Sequence, residues 1–133
     1  MNISPKLLYI IAFALLTTFG FTQTERWVYR YNGSGNGGDC AYCICYGGDG
    51  NIYAVGDCTG GDSVLHFTII SLAPDGTERW VYQYPSLSYG KEICFGGDGN
   101  ICAVGNTTGR ILVVSVDGNG NERWHYVYST PSS

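Results

Sequence analysis

The stretch Ile44-Cys45-Tyr46-Gly47-Gly48-Asp49-Gly50-Asn51-Ile52-Tyr53-Ala54-Val55-Gly56 returns, almost residue for residue, as Ile93-Cys94-Phe95-Gly96-Gly97-Asp98-Gly99-Asn100-Ile101-Cys102-Ala103-Val104-Gly105. In each copy an Asp-Gly pair, Asp49-Gly50 or Asp98-Gly99, stands between two apolar runs. That arrangement marks a β-hairpin, because glycine supplies the positive φ that the turn requires. A second element recurs three times: Thr24-Glu25-Arg26-Trp27-Val28-Tyr29-Arg30-Tyr31, Thr77-Glu78-Arg79-Trp80-Val81-Tyr82-Gln83-Tyr84 and Asn121-Glu122-Arg123-Trp124-His125-Tyr126-Val127-Tyr128. Pro74-Asp75-Gly76 and Asp117-Gly118-Asn119-Gly120 place turn residues just before the second and third copies,. The hairpins are 49 residues apart, and the tryptophans 53 and 44. The differences fall in Gly/Ser-rich loops, where insertions are tolerated. A period of roughly 40–50 residues suits β-propeller blades rather than helical repeats of about 33–34.

Every local signal inside a repeat is β. Strands are expected near Ala41–Tyr46, Ile52–Asp57, Phe67–Ala73 and Glu78–Tyr84 in one repeat. In the next they are expected near Lys91–Phe95, Ile101–Asn106, Ile111–Asp117 and Glu122–Tyr128. Glu25–Tyr31 is read as an extra leading copy of the fourth strand, giving nine strands in all. Phe67–Leu72 and Ile111–Val116 carry apolar residues on both parities, as strands buried on both faces do. Stacked blades produce such strands. An immunoglobulin-like sandwich leaves one face of each sheet wet and does not repeat at this spacing.

The pattern Asp-Gly-x-x-x-Trp-x-x-x-Tyr, a Gly-rich loop, then Gly-x-Asp-Gly-Asn-Ile-Tyr-Ala-x-Gly resembles the bacterial seven-bladed β-propeller repeat family. It is also similar to the tryptophan-docking repeats of quinoprotein-type propellers. The resemblance runs from Thr24 to Tyr128 and implies an exported, non-catalytic surface or binding protein. The expected fold class is all-β: two four-stranded antiparallel propeller blades (repeats about 25–76 and 77–128) plus the leading strand, a partial propeller over 23–133. Closed propellers use about four to eight blades. Two blades therefore leave apolar faces in need of a partner. That partner is either other copies of the chain or the missing blades of a longer one, the alternative being a monomer that stands alone. The leading strand is placed to extend a neighbour's sheet.

Composition narrows the classes further. The chain has 133 residues, a net charge of −4 and only 7 Lys+Arg. That argues against nucleic acid or an anionic membrane surface as partner. Gly (20) and Tyr (11) are abundant, and charged residues are only 14%. Residues 1–22 read as a signal peptide: Lys6, the apolar run Leu7–Leu16, then small residues at Thr18, Gly20 and Thr22,. The apolar stretch Leu7–Phe21 falls short of the ~20 residues that span a bilayer. A secreted or cell-surface location (periplasmic or extracellular) follows, with an uncleaved anchor as the alternative.

Few residues carry chemistry. Trp27, Trp80 and Trp124, one per repeat, are read as rings that dock repeat onto repeat, since a large ring buries much area; stacking on a sugar is the rival reading. The tyrosine pairs 29/31, 82/84 and 126/128 each lie on one strand face and suit an edge cover or an assembly surface. Cys40, Cys43, Cys45, Cys58, Cys94 and Cys102 are expected as buried thiols, with one or two disulfides or a metal as alternatives. Asp117, Asn119 and Asn121 copy the first, third and fifth positions of a calcium loop, but Glu122 stands where Gly belongs and Tyr128 where the acidic residue does,. A turn explains them better. His66 and His125 stand alone at different repeat positions, and no catalytic constellation or cofactor site can be assembled. The expectation is a non-enzyme that serves as a structural or protein-interaction module through self-assembly. A lectin-like propeller holding a glycan in the loops Asn32–Asp39, Cys58–Ser63 and Ser86–Gly90 is the alternative. A quinoprotein-like fragment is a weaker one.

Overall fold

Four hairpins of one design set the architecture. In the computed structural model, which describes residues 24–129, Gly47 N–H donates to Asn51 O (2.8 Å) and Gly50 N–H to Gly47 O (3.0 Å). The same two bonds recur at Gly96/Asn100, Ala73/Thr77 and Asp117/Asn121. An aspartate carboxylate caps each turn by accepting a backbone N–H two to four residues on. The fourth residue of each turn is a glycine at positive φ: Gly50, Gly76, Gly99 and Gly120. A type I turn closed by a left-handed glycine forces the chain straight back beside itself. The expected leader, residues 1–22, lies outside the described residues.

These hairpins join seven antiparallel strands, each paired with its neighbour in sequence: β1 (Cys40–Tyr46), β2 (Ile52–Thr59), β3 (Leu65–Leu72), β4 (Glu78–Phe95), β5 (Ile101–Thr107), β6 (Arg110–Val116) and β7 (Glu122–Tyr128). No helix occurs among the described residues. Of the five residues by which the repeat spacing changes from 49 to 44, three sit in one connection and two lengthen the strands beside it by one each. The β2–β3 turn closes on the pair Thr59 and Leu65, whereas the β5–β6 turn is the two residues Thr108-Gly109, both at positive φ.

Seven strands replace the nine expected, for two reasons. The leading copy Glu25–Tyr31 joins no ladder; it is extended, with Trp27, Tyr29 and Tyr31 turned inward on alternate positions, but it is not a strand. The expected strands Glu78–Tyr84 and Lys91–Phe95 are one strand, β4, so Ser86–Gly90 is not a loop. Pro85 has no N–H to donate, which reads as a break in the sequence. The structure carries the chain past it with a side chain: Ser88 Oγ accepts the Phe67 N–H (2.8 Å) and donates to Ser86 O (2.7 Å).

Strand β4 changes partner along its length. Its residues up to Leu87 pair with β3, and those from Ser88 on pair with β5. The sheet therefore divides into a first half, β1 to the start of β4, and a second half, the end of β4 to β7. The two halves stack face to face. Tyr53, Val55, Phe67 and Ile69 of the first half share one core with Ile93, Ala103, Leu112 and Val114 of the second. Tyr53 stacks on Phe95 with ring centroids 5.7 Å apart. The approach is close enough that a Cβ on Gly90 would lie 2.5 Å from Val55 Cγ2. Strand β3 is buried on both faces as expected, but β6 is not: Ile111 is exposed and Val113 half-buried.

Candidate interaction surface

The three copies of the Glu-Arg-Trp-x-x-x-Tyr segment are chemically alike and placed differently. Trp80, on β4, donates its Nε1–H to Gly118 O (3.0 Å) in the β6–β7 turn. Its ring lies on Gly120, where an added Cβ would come within 2.6 Å. Trp27 does the same to the preceding turn, donating to Pro74 O (3.1 Å) and covering Gly76, again with 2.6 Å to an added Cβ. Two residues on, Tyr82 donates its hydroxyl to Glu122 (2.5 Å), and Tyr29 donates to Glu78 in the equivalent contact. Burial and then the carboxylate hold both phenols well above the usual range. The hydrogen bond from Tyr82, followed by that from His125, keeps Glu122 below its usual value.

The third copy has the residues but no seat. Trp124 is 46% exposed and Tyr126 59%, with Tyr128 beside them. Its internal contacts are intact: Arg123 Nη1 donates to the buried Ser115 Oγ (3.2 Å), as Arg79 Nη1 does to Ser71 Oγ (2.9 Å). Only the outward contacts differ. Around Trp124 the outer face of the second half continues through Ile111, Val113 and Val104 across β6 and β5. The residues at the matching repeat positions of the first half, Phe67, Ile69 and Val55, are fully buried against the second half.

The first half presents the opposite case on its far face. There Ala54, Cys58, Ile70 and Leu72 line a groove of about 250 Å³ with Tyr29 and Tyr31 of the extended segment and with Asp39, Cys40 and Ala41. Ile44, at the inner end of this face, is 67% exposed. Ile93, its counterpart 49 residues on, is 7% exposed because the first half covers it.

The remaining candidates do not converge. All six cysteines are free thiols, and the expectation of burial fails for most of them: Cys40 and Cys94 are exposed, Cys43, Cys45 and Cys102 half-buried, and only Cys58 buried. Cys40, Cys43 and Cys45 lie on the edge strand β1, which pairs on one side only, and Cys94 and Cys102 are register partners across β4 and β5. Burial pushes the Cys58 thiol up to about 11. Asp117 accepts from the N–H groups of Asn119 and Asn121 (both 2.9 Å) and from Asn121 Nδ2, so these three residues form the turn itself. Asp49 and Asp98 cap their turns in the same way, and Asp49 also accepts from Tyr53 Oη (2.6 Å). His66 contacts Asp62 through Nε2 (2.9 Å) and Tyr84 O through Nδ1 (2.9 Å), and the Asp62 bond raises its pKa. No cluster of three or more His, Cys, Asp or Glu with metal-binding geometry occurs among the described residues.

One group escaped the sequence reading. Asp57, on β2, is 4% exposed with Oδ1 free of protein partners. Burial raises its pKa, opposed by Lys91 and then by Tyr42, and the Lys91 ammonium lies 4.1 Å from the Tyr42 ring centroid. Nothing in its sequence context, Val-Gly-Asp-Cys, distinguishes it from a surface strand residue. A general base must reach a substrate's proton, and this carboxylate is closed off. No protein-family model matches the chain, and no curated protein matches it.

Proposed function

We propose that the chain is an exported, non-catalytic β-propeller-repeat protein that acts as a structural or protein-interaction module by self-assembly. On this reading the two stacked halves are propeller blades, and the tryptophan contacts to the following turn are blade docking. The observation that carries it is the unequal fate of equivalent residues, Ile93 buried and Ile44 open, Trp80 seated and Trp124 unseated. Stacking covers one face of each half; the other face of the second half is open, and that of the first is covered only in part, by the segment Glu25–Tyr31. An exposed patch of this kind, rimmed by tyrosines, is the surface signature of a protein partner. Export rests on the leader read at residues 1–22. The lack of a catalytic role rests on polar groups being committed to turns: Asp49, Asp75, Asp98 and Asp117 are all turn caps.

The glycan alternative has less behind it. In the loop Asn32–Asp39, Asn32 Nδ2 donates to Asn36 (2.6 Å) while Asp39 accepts from the N–H groups of Gly33 (2.8 Å) and Thr59 (2.9 Å). Ser86–Gly90 lies within β4. The test is the solution mass of the exported chain by light scattering behind size exclusion. A multimer or an open polymer is expected. A monomer at every concentration would overturn the self-assembly reading, and retention on a glycan array would then favour the alternative.

A further inference from the structure

We infer that the extended segment Thr24–Tyr31 is an internal plug on the far face of the first half, and that β7 of a second copy takes its place, joining copies head to tail. The inference rests on the self-assembly reading and names its partner and its contact. The seat is defined twice within the chain: a turn carbonyl for the indole N–H, a positive-φ glycine under the ring, and a glutamate for the tyrosine two residues on. Trp80 and Tyr82 fill the seat made by Gly118, Gly120 and Glu122. Trp27 and Tyr29 fill the seat made by Pro74, Gly76 and Glu78. Trp124 and Tyr126 match both in type and spacing, and among the described residues they make no such turn contact. The seat at Pro74–Glu78 of a second copy is therefore the complement they fit.

That seat is held weakly. The segment carrying Trp27 makes no ladder bonds, so side-chain contacts and the chain connection alone keep it in place. It covers so little of the face that Ile44 stays exposed. The incoming second half brings a whole four-stranded face, with Ile111 and Val113 behind Trp124, as the first half already does for the second within one chain. The intramolecular segment has the advantage of tethering, with an effective concentration of about millimolar for a short linker. Exchange therefore depends on protein concentration. A surface that meets a different surface on its partner is heterologous, and it closes into a ring or runs on as a filament.

The test compares four forms of the exported chain by light scattering over a dilution series: the natural sequence, Trp27→Ala, Tyr29→Phe and Trp124→Ala. Removing Trp27 is expected to lower the concentration of half-association by about tenfold or more, as loss of a competing closed state does. Trp124→Ala is expected to stay monomeric. Tyr29→Phe, which loses only the bond to Glu78, shifts association in the same direction by less, and it decides the matter where Trp27→Ala loses its near-UV circular dichroism. A Trp27→Ala chain that associates no more readily than the natural one overturns the plug. Association of Trp124→Ala equal to that of the natural chain overturns the β7 contact while leaving self-assembly standing. A monomer in all four overturns both.

Discussion

Strands β4 and β7 offer a controlled comparison, because the sequence Glu-Arg-Trp-x-Tyr-x-Tyr, the pairing with the preceding strand and the arginine bond to a buried serine are common to both. Within that segment the outward difference is whether another layer lies on top. In β4 the tryptophan reaches a turn of the next half and packs, half-buried, against the core; in β7 it is largely exposed. The lesson is that a repeated strand carries the capacity to dock, while burial is conferred by the following repeat. The segment Glu25–Tyr31 completes the series in reverse, docked through its side chains but without a ladder.

The sharpest way to break this comparison is to truncate both rings. Trp80→Ala opens a hole between the halves and is expected to cost about 3–5 kcal/mol, whereas Trp124→Ala in the monomer stays within about 0.5 kcal/mol. Urea unfolding at low concentration reads both, and equal losses would mean that the stacked face adds nothing. Glycine substitution sharpens it next. Gly120→Ala meets both a positive φ and the Trp80 ring, while Gly99→Ala meets the φ alone, with no atom within 4 Å. The second is expected to lose about 1 kcal/mol and the first clearly more. Equal shifts in denaturation midpoint would remove the ring from the account.

A smaller effect separates the first half from the second through pH. His66 is buried in β3 and bonded to Asp62, and its counterpart position in the second half has no histidine. Its pKa is raised in the folded state, so the stabilisation is complete below about 6.5 and is lost as pH rises through the higher folded value,. His66→Gln should flatten that slope in a pH series of melting temperatures; an unchanged slope would place the titration elsewhere. Thiol labelling gives the mildest probe. Cys40 and Cys94 should react first with an alkylating reagent near neutral pH and Cys58 last, since burial both hides it and raises its pKa to about 11,. Early labelling of Cys58 would show that the segment over the groove opens readily.

The repeat, its hairpins and the β character of every segment were legible in the residues, because turn chemistry is local. An Asp carboxylate that accepts the N–H two places on, and a glycine at positive φ, are dictated within five residues. That Glu25–Tyr31 has no partner strand within its repeat was legible too, but not that it would form no strand at all, since a strand needs a neighbour with free edge groups. The reading of Ser86–Gly90 as a loop missed the continuity of β4, because the bond that holds the chain there is donated by the Phe67 N–H to Ser88 Oγ, 21 residues away in sequence. The cysteines were expected to be buried as small apolar residues of inner strands; most are exposed or half-buried, because burial depends on what lies across from a side chain and not on its type.

Sequence by itself determined where each hairpin turns, which faces of each strand are apolar, and that one tryptophan recurs per repeat, all of which depend on near neighbours. Only the tertiary structure decided which of those equivalent faces is covered. Burial is a property of what lies across the interface, so identical residues such as Ile44 and Ile93 end in solvent and in core respectively. The buried Asp57 follows the same rule: a residue with no local signal acquires its raised pKa from the layers that close over it,.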